Sequence, residues 1–343
     1  MAIFVRIASY RDSELVPTLV DCLNKARWPA DLRFAICWQH DGTESIANFS
    51  ADPRFRILDV DYLSSRGMGW ARSECARLYD GEEFTISLDS HHRFTGGWDQ
   101  SLIEMMALVP SSKPVLTTYP PSYDPGDDSS FQTEPTLIGF VNFNSDGTLA
   151  KAGIPIDDFR SLCAPVPSRF YAGGCAFSVG RFLEQVPPDP HIYFSGEEDS
   201  TAIRAFTHGY NLFHPHRIVC WHQYERRDKP KHWSDHIAGQ TRGPEWHELE
   251  ARGVKRFRRL LGLDPVRDEV FDRYGLGTAR SLESYQKYAG LNFTKQTASV
   301  AARTARIPRH RSAGGDRRDR RRTRESDATG IGSPAGLEHF SEK

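Results

Sequence analysis

Four short apolar-rich runs, over residues 2–8, 32–38, 55–60 and 84–88, each stop at polar or charged residues. This alternation constrains the fold more than any other feature of the chain. Runs so short and so continuously apolar suit strands buried on both faces. Helical spacing fills two of the gaps. Leu15, Leu19, Cys22 and Leu23 share one face of a segment reaching Lys25, and residues 64–72 open a helix that runs to about Tyr79. Asp12 or Ser13 can cap the first helix, and Pro17 falls in its first turn, where a missing N–H matters least. The order strand–helix–strand–strand–helix–strand predicts an α/β fold with a mostly parallel sheet. Ligands in such sheets bind beyond the carboxyl ends of the strands. Tyr10, Arg11, Asp41, Arg66, Arg72 and Asp89 lie at those ends or in the loops leaving them, so one crevice can collect them.

The fourth run ends in Asp89-Ser90-His91-His92-Arg93-Phe94. Along an extended backbone, positions two apart point the same way, so Asp89 and His91 can face one cation together. A hard carboxylate with a borderline imidazole suits Mn²⁺ well and Mg²⁺ tolerably. A polar strand-end turn followed by a surface histidine explains the same residues, so their neighbours must decide. Downstream, the pattern predicts a helix over residues 98–108, a strand over 115–119 and a mobile loop over the site at 120–133. A hairpin is expected around Asn144-Ser145-Asp146-Gly147. Gly173 and Gly174 inside an apolar run mark a bulge or a close approach by another group. Glu197, Glu198 and Asp199 open a helix, where acidic residues complement the dipole in any case. A strand over residues 217–221 delivers His222, and basic amphipathic helices follow at 244–261 and 279–288.

Composition excludes several classes. The formal net charge of -1 gives no global attraction to nucleic acid or anionic membrane. The six cysteines form no CxxC pair and no secreted-domain spacing, which points to reduced thiols and a cytoplasmic protein. No apolar run is long enough to span a bilayer. From about Arg303 the sequence turns to Arg, Asp, Ser and Gly, a composition expected to be disordered.

Taken in order, Arg66-Gly67 through Arg72, Asp89-Ser90-His91, Gly173-Gly174, Gly196-Glu197-Glu198-Asp199 and Trp221-His222 make a specific series. With it, the chain resembles GT-A-fold glycosyltransferases. Asp89-Ser90-His91 is similar to the DxH variant of the DxD metal motif in polypeptide N-acetylgalactosaminyltransferases. A nearer resemblance, carried also by residues 4–12 and 88–94, is to cytoplasmic polypeptide N-acetylglucosaminyltransferases acting on hydroxyproline and to their bacterial relatives. It covers residues 2–290 and implies a GT-A domain there, with a nucleotide-binding half at 1–120 and an acceptor half at 121–290. Residues 291–343 would form a basic, disordered tail. The resemblance implies a retaining enzyme that uses UDP-N-acetylglucosamine and Mn²⁺, with Mg²⁺ as substitute, and a polypeptide or other hydroxyl acceptor. Asp89, His91 and His222 would bind the metal. Ser9, Tyr10, Arg11 and Asp41 would line the uridine pocket, and Arg66, Gly67, Arg72 and Ser90 would lie against the nucleotide or sugar. Gly173 and Gly174 would floor the sugar site. Glu197 would accept bonds from sugar hydroxyls, with Glu198 and Asp199 next in reach of sugar or acceptor. His92 and Arg93 depart from the galactosaminyltransferase pattern and would only shape their loop.

Other readings fit parts of the same pattern. Another UDP-sugar, or a glycan or small-molecule acceptor, fits the same fold. A metal-dependent hydrolase would use the carboxylates as acid and base, and a non-catalytic sugar-nucleotide-binding protein would keep the pocket without turnover. A nucleic-acid role would rest only on the arginine run near the C-terminus.

Overall fold

The computed structural model describes residues 1–226, 228–265 and 270–307. Four parallel strands, β1 (Ile3–Tyr10), β2 (Leu32–His40), β3 (Phe55–Asp61) and β4 (Phe84–Leu88), form one half of the main sheet. The strands that follow are β5 (His92–Phe94), β6 (Pro114–Thr117), β7 (Thr136–Phe143), β8 (Leu149–Pro155), β9 (Val166–Pro167), β10 (Cys175–Val179), β11 (Asn211–His214) and β12 (Cys220–His222). The main sheet has eight strands in the order β3–β2–β1–β4–β10–β6–β11–β9. Only β10 and β9 run against the rest, so the sheet is mostly parallel, as the alternating pattern predicts. Strand β1 sits between β2 and β4 and is buried on both faces through its first five residues, which explains its unbroken apolar run.

Helices cover both faces. Ile3, Val5 and Ile7 pack with Leu15 and Leu19 of α1 (Leu15–Lys25) and, past α2 (Ala47–Ser50) and α3 (Met68–Ala76), with Trp98 and Leu102 of α4 (Trp98–Ala107). Phe4, on the other face, meets Ala71 and Cys75 of α3. Each such fully buried large side chain contributes about 1.5–3 kcal/mol relative to exposure. The second half of the chain adds α5 (Phe182–Gln185), α6 (Glu197–Thr207), α7 (His232–Asp235), α8 (Trp246–Leu260) and α9 (Leu282–Ala289). Ile203 and Phe206 of α6, Phe257 of α8 and Tyr285 of α9 share a core with Ile138 and Phe140 of the β7–β8 hairpin. That hairpin turns at Asn144–Gly147 as expected.

Several elements differ from expectation, each for a local reason. Helix α1 begins at Leu15 behind Glu14, whose own side chain makes no cap, while Asp12 holds the Glu14 amide with one oxygen and faces Ser90 and His91 with the other. The strand delivering His222 is only Cys220–His222, and it pairs with β5, outside the main sheet. The segment over residues 120–133 is packed onto β12. Tyr123 is buried, its amide donates to the His222 carbonyl at 3.3 Å, and the Trp221 indole donates to the Gln132 carbonyl at 2.7 Å. The domain boundary expected at 290 falls inside a packed segment. Leu291, Phe293 and Ala302 are buried in the core around α9, within a small hairpin and turn reaching residue 307. The arginine run beyond it lies outside the described residues. Among the described residues no helix is long and apolar enough to cross a membrane.

Candidate active site

Topology builds the site. Strand β1 leads through α1 to β2 on one side, while β4 arrives on its other side from α3, so the carboxyl ends of β1 and β4 open a crevice at a switch point. Ile7 pairs with Leu88, which sets the residues leaving β1 beside Asp89, Ser90 and His91. Asp12 thereby accepts hydrogen bonds from the Ser90 hydroxyl and from His91 Nδ1 at 2.8 Å, and Arg226 closes on it at 3.0 Å. Burial opposes its charge, yet the bonds from His91 and Ser90 and the Arg226 charge outweigh burial and bring the carboxyl down to about 2. A carboxylate at Nδ1 fixes the tautomer of His91 and leaves Nε2 for a ligand, the usual support of a metal-binding imidazole.

The β5–β12 pairing sets His222 opposite His92 across the ladder and brings its Nε2 to 3.3 Å from Asp89 Oδ2. Its Nδ1 is buried without a hydrogen-bond partner, so Asp89 at Nε2 is the one carboxylate facing this ring among the described residues. Burial lowers the pKa of both His91 and His222, which keeps them neutral and ligand-competent at neutral pH. Among the described residues, the donor atoms of Asp89, His92 and His222 lie within 4.8 Å of one another. His92, however, is fully buried with each ring nitrogen against a carbonyl, Trp221 at 2.9 Å and Gly174 at 3.0 Å. It ties β5 to its neighbours, whereas His91, 4.5 Å ring-to-ring from His222, keeps a nitrogen uncommitted. One carboxylate with two neutral imidazoles is a donor set that can hold a divalent cation.

Behind Asp89 stands an ion-pair relay. Arg72, on α3, donates to Asp89 Oδ1 at 3.0 Å and to Glu197 Oε2 at 2.8 Å. Both neighbouring carboxylates hold Arg72 charged against burial, and burial pushes the Glu197 carboxyl up, only partly offset by Arg72. The paired glycines make this possible. A Cβ on Gly173 would sit 1.9 Å from Arg72 Nη1, and one on Gly174 would sit 2.3 Å from Asp89 Oδ2. The close approach expected of them is thus to the Arg72–Asp89 pair.

A cleft of 310 Å³ opens in front, and Tyr10, Gly67, Asp89, Ser90, His91 and His222 line it. Arg11 and Asp41 form a salt bridge at 2.7 Å beside it, and Arg11 and the Tyr10 hydroxyl both reach Asp235 at 2.8 Å. Other expected residues lie elsewhere. The Ser9 side chain is fully buried, because strand alternation gives Ala8 and Tyr10 to the cleft and turns Ser9 away. Arg66 lines a separate groove on the far side of Tyr193. Glu197 is buried on Arg72. Asp199 is buried on the Leu149 amide and Lys151, where it fastens the β7–β8 hairpin to α6. Glu198 keeps partial exposure, accepting from the Tyr119 hydroxyl at 2.5 Å and the Gly173 amide at 2.7 Å. Sequence reasoning missed Asp12 as an orienting group, and it missed Gln39, Tyr193, Arg226, Lys231 and Asp235 around the cleft. Arg226, Lys231 and Asp235 come from residues 223–245, a long polar segment dotted with aromatics, and such segments in compact domains are commonly functional.

The model of the family described as Glycosyltransferase (GlcNAc) matches residues 2–53 and 47–295. No curated protein matches the chain. Among solved structures, GalNAc-T7 with UDP, GalNAc and Mn²⁺ aligns with a TM-score of 0.56 at 12% identity, covering 84% of this chain and 56% of that one. This chain therefore spans little more than half of that protein. That likeness supports the GT-A fold. S. aureus TarS in complex with UDP-GlcNAc aligns at 0.43 and 12% identity, covering 76% and 73% of the two chains. The mannosyltransferase PcManGT from Pyrobaculum calidifontis, with GDP-Man and Mn²⁺, aligns at 0.43 and 15%, covering 76% and 71%. Backbone likeness at that level carries no argument.

Proposed function

The chain belongs to the Glycosyltransferase (GlcNAc) family, and from that premise we propose that it moves N-acetylglucosamine from UDP-N-acetylglucosamine to a polypeptide hydroxyl with retention at the anomeric carbon. The observation that carries this reading is that Asp89 and His91 line one cleft with His222, which comes from far along the chain, and with Tyr10, Gln39 and Gly67. Asp89, His91 and His222 would hold a divalent cation, Mn²⁺ or in its place Mg²⁺, whose charge would stabilise the departing diphosphate.

The chain's own residues do the rest. Tyr10, His232 and Trp233 offer flat walls for a nucleobase, and Arg226 and Lys231 bring positive charge to the same cleft for phosphate oxygens. Arg72 orients Asp89 and is itself oriented by Glu197, so this carboxylate is a positioning residue and not a base. In the retaining route the bond from the anomeric carbon to the β-phosphate oxygen breaks as the acceptor oxygen bonds to the same face. The acceptor proton passes to the departing phosphate. Glu198, partly exposed and held by Tyr119, is the carboxylate we assign to sugar or acceptor contacts.

The test is turnover of UDP-N-acetylglucosamine with Mn²⁺, with mass spectrometry of peptide acceptors and the anomeric configuration of the product read by proton NMR. Asp89→Asn should reduce turnover by several orders of magnitude while the circular dichroism spectrum is retained. Equal turnover by that variant, or an untouched donor, would remove the reading.

A further inference from the structure

A groove of 1020 Å³ runs between α3 and α8 and meets the candidate donor cleft at Tyr193, which lines both. Its lining carries Arg66 and Arg77 beside α3, Arg242 from the preceding loop, and Arg252, Lys255 and Arg259 on α8. Arg256 adds a further cation, and Glu74 is the one carboxylate among the lining residues. Some of this charge is already matched. Arg77 pairs with Glu74 at 3.1 Å, Arg242 with Asp61 at 3.1 Å, Arg252 with Glu248 at 3.4 Å and Arg256 with Asp189 at 2.7 Å. Arg66 and Lys255 make no ion pair among the described residues and are exposed. A lining so one-sided at the mouth of a catalytic cleft concentrates anions there.

We infer that this groove is the acceptor subsite and that it selects polypeptide segments with acidic residues flanking the modified hydroxyl. The inference rests on the proposed transfer to a polypeptide. Its geometry favours an extended acidic peptide over a single phosphate, because the cations are spread out and do not converge on one point. Positions 252, 255 and 259 lie on one helix face and span about 10 Å, which an extended chain covers in about three residues. Trp70, Leu249 and Tyr274 supply apolar wall between the charges, which suits side chains and backbone. Existing pairs with Glu74, Asp61 and Glu248 dilute the field that a polynucleotide backbone would need. A peptide lying in the groove passes Tyr193, whose hydroxyl meets His232 at 2.7 Å on the edge of the cleft.

The test compares full-length protein, Mn²⁺ and UDP-N-acetylglucosamine present, with Arg252→Glu/Lys255→Glu and with the milder Arg252→Gln/Lys255→Gln. The probes are a labelled serine peptide flanked by glutamates and its glutamine-flanked counterpart, with binding read by anisotropy and transfer by mass spectrometry. The arginine run near the C-terminus is identical in all three proteins, so differences between them report the groove. Native protein should bind the glutamate peptide about tenfold more tightly than the glutamine one. Charge reversal should abolish that preference, neutralisation should halve it, and UDP affinity should not change. Equal binding of the two peptides, or an unaltered preference in the charge-reversed protein, would overturn the inference. Stronger displacement by a single-stranded oligonucleotide than by the glutamate peptide would overturn the assignment to polypeptide. If both peptides stay unmodified while the binding preference follows the groove charges, the transfer reading falls and the anion-selective groove stands.

Discussion

Asp12 shows how much a single side chain can matter without touching a substrate. It is buried, ionised, and shared among Ser90, His91 and Arg226. Replacing it by Asn keeps the shape but removes the charge that fixes the His91 tautomer. Mn²⁺ affinity should fall by about 10–100-fold, the usual cost of losing a carboxylate behind a metal-binding histidine. A calorimetric Mn²⁺ titration checks this, and an unchanged isotherm would take His91 out of the coordinating set. Gly174 makes a complementary case. Its missing side chain is the space occupied by Asp89 Oδ2, so Gly174→Ala forces the carboxylate to move against Arg72. The expected result is a stability loss of about 1–3 kcal/mol and turnover lowered more than stability explains, measured by urea unfolding beside kinetics. Native turnover in that variant would show that Asp89 has room to spare.

Among elements, the β7–β8 hairpin and helix α6 are joined by a buried ion pair. Lys151 reaches both Asp199 and Glu198, and Asp199 also receives the Leu149 amide. Burial opposes the Lys151 charge, but the two carboxylates outweigh it and raise its pKa. Lys151→Met leaves a buried carboxylate without its cation, a change that costs about 3–5 kcal/mol. Equilibrium denaturation should report it as a lower midpoint. Because Glu198 shares the lysine, acceptor KM should also rise, while UDP affinity, set on the other side of Asp89, should hold. A variant as stable as the native protein would show that water or another group takes the place of the ammonium. The β5–β12 ladder is the other joint of this kind, since its three residue pairs, with backbone bonds to Pro121 and Tyr123, set His222 beside Asp89.

For the whole molecule, buried histidines set the acid limit. Burial pushes His214 down to about 4 and His92 down to about 3. Their folded pKa values lie below the ordinary histidine value near 6.5. Between those limits the unfolded chain binds protons that the folded chain refuses, so stability is intact above about pH 6.5 and falls as pH drops. Each of these two histidines costs about 1.4 kcal/mol per pH unit over that window, so the pair together should cost roughly 4 kcal/mol between pH 7 and 5. Thermal unfolding across that range should show Tm falling by several degrees. A flat Tm would mean that both rings accept protons without leaving the core.

The sequence by itself determined the layered sheet, since continuous apolar runs and helical spacing are local signals that follow from burial and hydrogen bonding along the chain. It also marked Asp89 and His91 as candidates, because strand ends and residue types can be read without coordinates, while His222 entered only through the family resemblance. Only the tertiary structure decided which atoms face one another. The parallel pairing of β1 with β4 put Asp12 behind His91, and alternation along β1 turned Ser9 inward. The three-residue ladder to β12 separated the committed ring of His92 from the available ring of His91. Glu197 and Asp199 read as cleft acids in one dimension and proved to be buried struts. Burial and ion pairing are properties of neighbours distant in sequence. Residue type and spacing along the chain do not encode them.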